Sequence, residues 1–204
     1  EFLALRKIFK NIEILDCTKF YLLNSFTQII FHHISPKILE PFLNNFISSK
    51  VTKNYDLIYV NSSSAAYIGK KLLLNLKKKT KKIIVQINDN PFVNRDNKRW
   101  KLYLESAKYY DLTATPHKSR IRLGKRIGIK NFLHTNLPYE KDVHCKKKLT
   151  KNEKRKLSCE IVVICTWFPE RGIFFKKLID YGLKVKIYGN RWDKDPNFSK
   201  IKSN

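Results

Sequence analysis

Three short apolar runs rich in β-branched residues limit what this chain can fold into. They are Tyr55-Asp56-Leu57-Ile58-Tyr59-Val60, Ile83-Ile84-Val85-Gln86-Ile87 and Glu160-Ile161-Val162-Val163-Ile164. Runs this short and this continuous read as strands, the last one as a strand covered on both faces, because alternation disappears when neither face meets water. Each is closed by turn formers and followed by an apolar stripe at helical spacing. After the first, Asn61-Ser62-Ser63-Ser64 can cap a helix bearing Ala65, Gly69, Leu72, Leu73 and Leu76. After the second, Asn88-Asp89-Asn90-Pro91-Phe92 leads to Trp100, Tyr103, Leu104 and Ala107 at i, i+3, i+4 and i+7. After the third, Pro169 suits the first helical position, and Phe174, Phe175, Leu178 and Tyr181 form the stripe. Gly182 is a fitting left-handed stop, and Leu183 to Tyr188 is a second strand that ends at Gly189. Strands alternating with helices predict an α/β fold, a Rossmann-like doubly wound parallel sheet.

The rest of the chain supplies the flanking elements. Residues 1–11 read as a helix whose start is missing, and Ile12 to Cys17 as a strand. Leu22, Leu23, Phe26, Ile29, Ile30 and His33 repeat at helical spacing. Ser35-Pro36 opens a further helix with Ile38, Leu39, Phe42, Leu43, Phe46 and Ile47. Asp111 to Pro116 is a short strand, a basic helix covers Arg120 to Ile127, and Asn131 to His134 follows. Residues 140–157 hold almost no apolar side chain and read as a linker. The expected organisation is therefore an N-terminal Rossmann-like domain over 1–139, a basic linker over 140–157, and the opening βαβ unit of a second Rossmann-like domain over 158–204. The sequence reads as a fragment lacking both ends, its second domain truncated and the chain expected to be inactive alone.

Charge and cysteine usage narrow the partners. The net charge of +25, from 42 Lys+Arg against 17 Asp+Glu, would draw nucleic acid or an anionic lipid surface. The lysines scatter along the chain rather than gathering around aromatics, as expected of a Lys-, Asn- and Ile-rich composition from an AT-rich genome. Nucleic acid is thus not the expected partner, and peripheral contact with an anionic membrane remains open. Cys17, Cys145, Cys159 and Cys165 form no CxxC pair and read as reduced, mostly buried thiols of a cytoplasmic protein. No apolar stretch approaches membrane-spanning length, and no signal peptide is visible. His144-Cys145 has no second ligand pair, so no metal is expected. His32, His33, His117 and His134 read as structural, and no glycine-rich phosphate loop or Ser-His-Asp spacing is present.

Two loops at strand ends carry candidate chemistry. In a parallel sheet, ligands gather where strands end and helix amino termini present free N–H groups. Asn88, Asp89 and Asn90 stand at such an end, where they can hydrogen-bond sugar hydroxyls or take a proton. Equally, Asn, Asp and Pro are turn formers in their own right. Arg95, farther along the loop, can reach an anion or pair with a neighbour. Arg171 falls in the first turn of its helix, where a cation opposes the helix dipole. Bidentate contact with a phosphate would account for it, and so would pairing with Glu170.

The order of these segments resembles the CgeB-like (spore-maturation-type) glycosyltransferases. The resemblance rests on Asp89-Asn90-Pro91-Phe92, Arg95-Asp96, the W-x-x-Y-L pattern of Trp100 to Leu104, and Tyr110-Asp111-Leu112. It continues in Thr166-Trp167-Phe168-Pro169-Glu170-Arg171 and in the I-x-G-x-x-W segment from Ile187 to Trp192. Cys165 stands where that pattern has glycine. The resemblance covers roughly residues 55–193 and implies the two-domain GT-B fold. It implies transfer of a sugar from a nucleotide-sugar donor to a glycan, lipid or protein acceptor, without metal or cofactor. Thr166, Trp167, Glu170 and Arg171 would bind the donor, Asp89 would be catalytic on the acceptor side, and Asn88, Asn90 and Arg95 would shape the crevice.

Two rival readings follow from the same residues. Asp89 to Phe92 is one residue away from the D-P-P-F loop of amino-group methyltransferases, but the loop after the early strand, Asn61 to Ser64, has no glycine to hold a methyl donor. The other rival is a basic protein that binds nucleic acid or an anionic membrane.

Overall fold

β-branched residues at alternate positions decide which way each strand faces. The computed structural model describes residues 5–17, 25–93, 98–137 and 139–198. Strands β1 (Tyr55–Val60), β2 (Thr80–Gln86), β3 (Leu112–Thr115) and β4 (Phe132–His134) form an all-parallel sheet in the order β1-β2-β3-β4. The register pairs Ile58 with Ile83, Val60 with Val85, Val85 with Thr113, and Thr113 with Phe132. Residues in register share a face. One face therefore presents Ile83, Val85, Thr113 and Thr115, all buried, and the other presents Leu57, Tyr59, Ile84 and Leu112, which stay half-buried.

Helices α1 (Ser25–Ile29), α2 (Glu40–Lys50), α3 (Ser62–Ala65), α4 (Lys70–Lys77), α5 (Lys101–Ser106) and α6 (Lys118–Arg126) alternate with or precede these strands. Every crossover steps to the next strand in the same direction. Right-handed connections then put α4 and α5 on the same face. Accordingly, α4 packs against both α2 and α5. The architecture is α/β, compatible with a Rossmann-like unit, but among the described residues the strand order never reverses. The reversal of strand order that a doubly wound sheet contains is not found among the described strands. Leu43, Leu72, Leu73, Ile83, Val85 and Leu102 are completely buried between the helices and the sheet. Removing each such side chain from water contributes roughly 1.5–3 kcal/mol.

Several elements differ from their expected form. Residues 11–16 lie outside any strand, although Tyr55 donates to Glu13 at 2.7 Å and Leu15 packs on the core. The chain leaves helical form by residue 9 rather than 11. After α1 comes a π-helical turn, Ile30–Ile34, and Pro36–Leu39 is a 3-10 turn capped by the Ser35 side chain. Of the apolar residues in this stretch, Ile30, Phe31, Leu39, Leu43 and Ile47 are buried, whereas Ile38 and Phe42 face solvent. Leu22 and Leu23 lie outside the described residues, as do the side chains of His32 and His33. The helix anticipated from Ala65 to Leu76 is two helices, because Gly69 in extended conformation caps the second. The cysteines are free, and only Cys17 is buried while Cys145 is exposed. Burial pushes the Cys17 thiol up to about 11, so it remains protonated.

One ion pair ties the helix layer to the sheet. Lys77 Nζ donates to Asp111 Oδ1 at 2.6 Å, and the Ile83 backbone N–H donates to Asp111 Oδ2 at 2.7 Å. Burial raises the Asp111 pKa, but the hydrogen bonds from Lys77 and Ile83 outweigh it and hold the carboxyl below its ordinary value. A depressed folded-state pKa contributes stability above the unfolded pKa and loses it as pH falls through the folded value. Asp111→Asn is therefore expected to flatten the loss of stability below about pH 4. Urea midpoints measured across that range check it, and an unchanged acid-side slope would remove Asp111 from the account.

The chain divides into two compact units, Glu1–His144 and Cys145–Asn204. In the second, α7 (Lys151–Leu157) lies within the stretch expected as a linker. A reciprocal capping box starts it: Thr150 Oγ1 accepts from the Glu153 N–H and the Glu153 carboxylate accepts from the Thr150 N–H. β5 (Ile161–Ile164) pairs parallel with β6 (Val185–Tyr188), joined by α8 (Pro169–Asp180). Pro169 occupies the first turn of α8, and Gly182 ends it at φ 84°. The core is Val163, Ile187, Trp192 and Phe198, with Phe175 packed on it. β5 is not covered on both faces: Ile164 is 79% exposed. Phe174 and Tyr181, expected in the helix stripe, also face solvent.

Candidate functional site

In the first unit, the carboxyl end of β2 delivers Asn88 into a web of three hydrogen bonds. Its N–H donates to Ser62 Oγ at 3.0 Å, its Oδ1 accepts from Gln86 Nε2 at 3.0 Å, and its carbonyl accepts from Arg120 Nη1. Tyr59 in turn donates to Gln86 Oε1. Arg120 Nη1 also donates to the Asp89 carbonyl at 2.9 Å. Asn90 closes the turn on itself, its Oδ1 accepting from the Phe92 N–H at 3.1 Å. Asn88 and Asn90 are thus builders of the loop, and Asp89 is what the loop displays.

The Asp89 carboxylate is exposed and makes no hydrogen bond among the described residues. It lies in the field of Arg120, whose own pKa burial lowers and Asp89 raises. A guanidinium stays charged under such shifts. A carboxylate displayed on a hydrogen-bonded turn can accept a proton from a hydroxyl held against it. Arg95, expected in the same crevice, lies outside the described residues. The His117 N–H donates weakly to Thr115 Oγ1 at 3.4 Å, and His134 is exposed on β4.

Arg120 was legible only as one member of a basic helix. Its position follows from Pro116, which turns the chain after β3 and sets Arg120 in the first turn of α6. Removing its two charged hydrogen bonds by Arg120→Met is expected to cost about 1.5–3 kcal/mol. Loss of amide protection at 88–90, read by hydrogen exchange, locates the effect; unchanged protection there would count against the clamp.

In the second unit, the loop from Cys165 to Arg171 follows β5. Arg171 Nη1 donates to the Thr166 carbonyl at 2.8 Å, and its guanidinium lies 4.9 Å from the Phe168 ring centroid. The cation is therefore held by the turn it follows, with its other donors uncommitted among the described contacts. Glu170 is exposed in the first turn of α8, where the dipole favours a carboxylate. Trp167 is anchored twice, its N–H donating to the Asn190 carbonyl at 2.9 Å and its indole Nε1 to Asp195 Oδ2 at 2.7 Å.

Asp195 is a residue sequence reasoning missed. It is buried, caps a turn through Oδ1 to the Asn197 N–H at 2.9 Å, and approaches α8 where Gly172 leaves room. A side chain at Gly172 would meet Asp195 Oδ2 at 1.9 Å. Asp195-Pro196 signals a turn, but nothing in the spacing announces its indole partner. The structure thus brings Thr166, Trp167 and Arg171 into one turn, and leaves Glu170 at its solvent edge.

Among the described residues, no group of three or more His, Cys, Asp or Glu could hold a metal ion, and no helix is long and apolar enough to cross a membrane. Comparison with protein-family models, with curated proteins and with solved structures finds no match to this chain.

Proposed function

We propose that this chain is part of a GT-B-type glycosyltransferase that moves a sugar from a nucleotide-sugar donor to an acceptor. The observation that carries the reading is the shared placement of two motifs. Asp89-Asn90-Pro91-Phe92 and Thr166 to Arg171 each occupy the carboxyl end of a parallel strand, each in its own α/β unit. That is where such sheets collect ligands. In this reading Asp89 takes the proton of the acceptor hydroxyl as it attacks the anomeric carbon, and the bond to the nucleoside diphosphate breaks. Arg171 and the amino end of α8 stabilise the charge that develops on the leaving diphosphate. Trp167, fixed by Asp195, walls the donor pocket, and Glu170 contacts the donor at the rim. Asn88, Asn90 and Arg120 keep Asp89 in place.

The test is a thermal-shift and fluorescence titration of the chain with a panel of nucleoside diphosphates and their sugar esters. The reading expects saturable binding selective for one base. Absence of any response at millimolar concentration sinks it. An S-adenosyl compound binding instead would favour the methyl-transfer alternative.

A further inference from the structure

Beside the Asp89 loop, which Arg120 holds, the first unit carries further cations that the sugar-transfer reading does not use. α6 holds five cations in nine residues, Lys118, Arg120, Arg122, Lys125 and Arg126, and its first turn contains no carboxylate. Cations in a first turn oppose the helix dipole, and Lys118 and Arg122 repel each other at i,i+4. Among the described residues, the contacts of this set belong to Arg120, which donates to the carbonyls of 88 and 89. Lys118, Arg122, Lys125 and nearby Lys130 enter no ion pair among the described residues. Such a helix gains from an external anion.

Beside α6 run two adjoining cavities of about 720 and 510 Å³, which share Ile121, Lys125 and His134. The larger has an apolar floor, Ile84, Leu112 and Ile121, and a cationic rim, Lys82, Lys125 and Lys130. Its single carboxylate, Asp111, is already held by Lys77. An apolar floor under a cationic rim matches an amphiphilic anion. Single-stranded nucleic acid would need exposed aromatic faces for stacking. Of the rings here, Phe132 lies against Gly124, too close to admit a side chain there (2.3 Å), and His134 is a single exposed imidazole.

We propose that α6 and this groove dock the chain on an anionic phospholipid bilayer. Lys118, Arg122 and Lys125 meet headgroup phosphates, and the floor formed by Ile84, Leu112 and Ile121 takes the adjoining apolar part of a lipid. The proposal is independent of the sugar-transfer reading.

Vesicle flotation of the full chain tests it, using phosphatidylcholine with and without phosphatidylserine. Binding is expected only with phosphatidylserine, falling steeply with salt. Joint Lys118→Glu, Arg122→Glu and Lys125→Glu is expected to lower partitioning by more than about a hundredfold. The neutral set Lys118→Gln, Arg122→Gln and Lys125→Gln, which spares the helix, should lower it less but in the same direction. Reversing Lys146, Lys147 and Lys148 in the other unit removes the same charge and should leave most of the binding. Equal losses from the two triple reversals would mean diffuse attraction and overturn the site. Equal binding to neutral vesicles would overturn it too. Tighter binding of a single-stranded RNA oligonucleotide, lost in the α6 variant, would reassign the surface to nucleic acid.

Discussion

Gly189→Ala is expected to unfold the second unit while the first stays intact. Gly189 closes β6 at φ 141°, a region that L side chains rarely adopt. A methyl group there would meet the Cys165 carbonyl oxygen at 2.1 Å and its carbon at 2.7 Å. Both are backbone atoms, so no side-chain rotation relieves the clash. The Cys165 carbonyl also accepts from Trp192 Nε1 at 2.8 Å, and Trp192 is completely buried at the centre of this unit's core. Moving that carbonyl therefore breaks a hydrogen bond and displaces the largest core side chain together. The expected cost is about 3 kcal/mol or more, from backbone strain and the lost bond combined. A core with four buried hydrophobic residues among those described has little stability in reserve.

Gly182→Ala supplies the contrast. Its φ is 84°, but nothing lies within 4 Å of an added Cβ. It should cost about 1–2 kcal/mol, the conformational term alone. Hydrogen exchange of the β5 and β6 amides reads both variants in one experiment. Equal protection in the two would show that contact with Cys165 has no energetic weight.

That contact also shows where sequence reasoning succeeded and where it could not. Cys165 stands where the resembling pattern has glycine, and a side chain there bears on how closely a phosphate can approach the backbone. A different close approach is present, between the Cys165 carbonyl and Gly189 on the paired strand. Parallel pairing of Ile164 with Tyr188 brings the two positions together, a relation that linear spacing does not encode. Strands and their following turns were legible because β-branched runs and Asn, Asp and Pro act locally. Ser35 and Asn61 cap helices through their own side chains, as their positions suggested.

What stayed hidden depends on contacts between distant residues. A helical stripe names the apolar side of a helix, not how much of it is covered. Phe174 and Tyr181 share the α8 stripe with Phe175, yet only Phe175 reaches Trp192, their ring centroids 5.9 Å apart. Arg120 and Asp195 each secure a candidate loop from about 30 positions away in the chain, through a carbonyl or an indole that no motif names. The Asp89 turn could be read as polar, but its hydrogen bonds come from Ser62, Gln86 and Arg120, which converge on its backbone and Asn88 only once α3, β2 and α6 are in place.

Arg171→Ala is expected to weaken nucleoside diphosphate binding by about 2–4 kcal/mol, roughly 30- to 1000-fold in Kd, if the guanidinium faces the diphosphate as proposed. The structure sets a second consequence against this one. Arg171 also donates to the Thr166 carbonyl and lies over Phe168, so its removal loosens the turn. Arg171→Lys separates the effects, because an ammonium keeps the charge but loses the planar fork. A purely structural role predicts that both variants lower the melting temperature and leave Kd within a few-fold. A diphosphate contact predicts that Kd rises in both, most in Arg171→Ala, and that the added ligand restores less thermal stability than in the parent chain. Trp167, tied to Asp195 one residue after Thr166, gives an intrinsic fluorescence signal close to that turn. Melting shifts without any change in Kd would retire Arg171 as a ligand-binding residue and leave it as the brace of the β5–α8 turn.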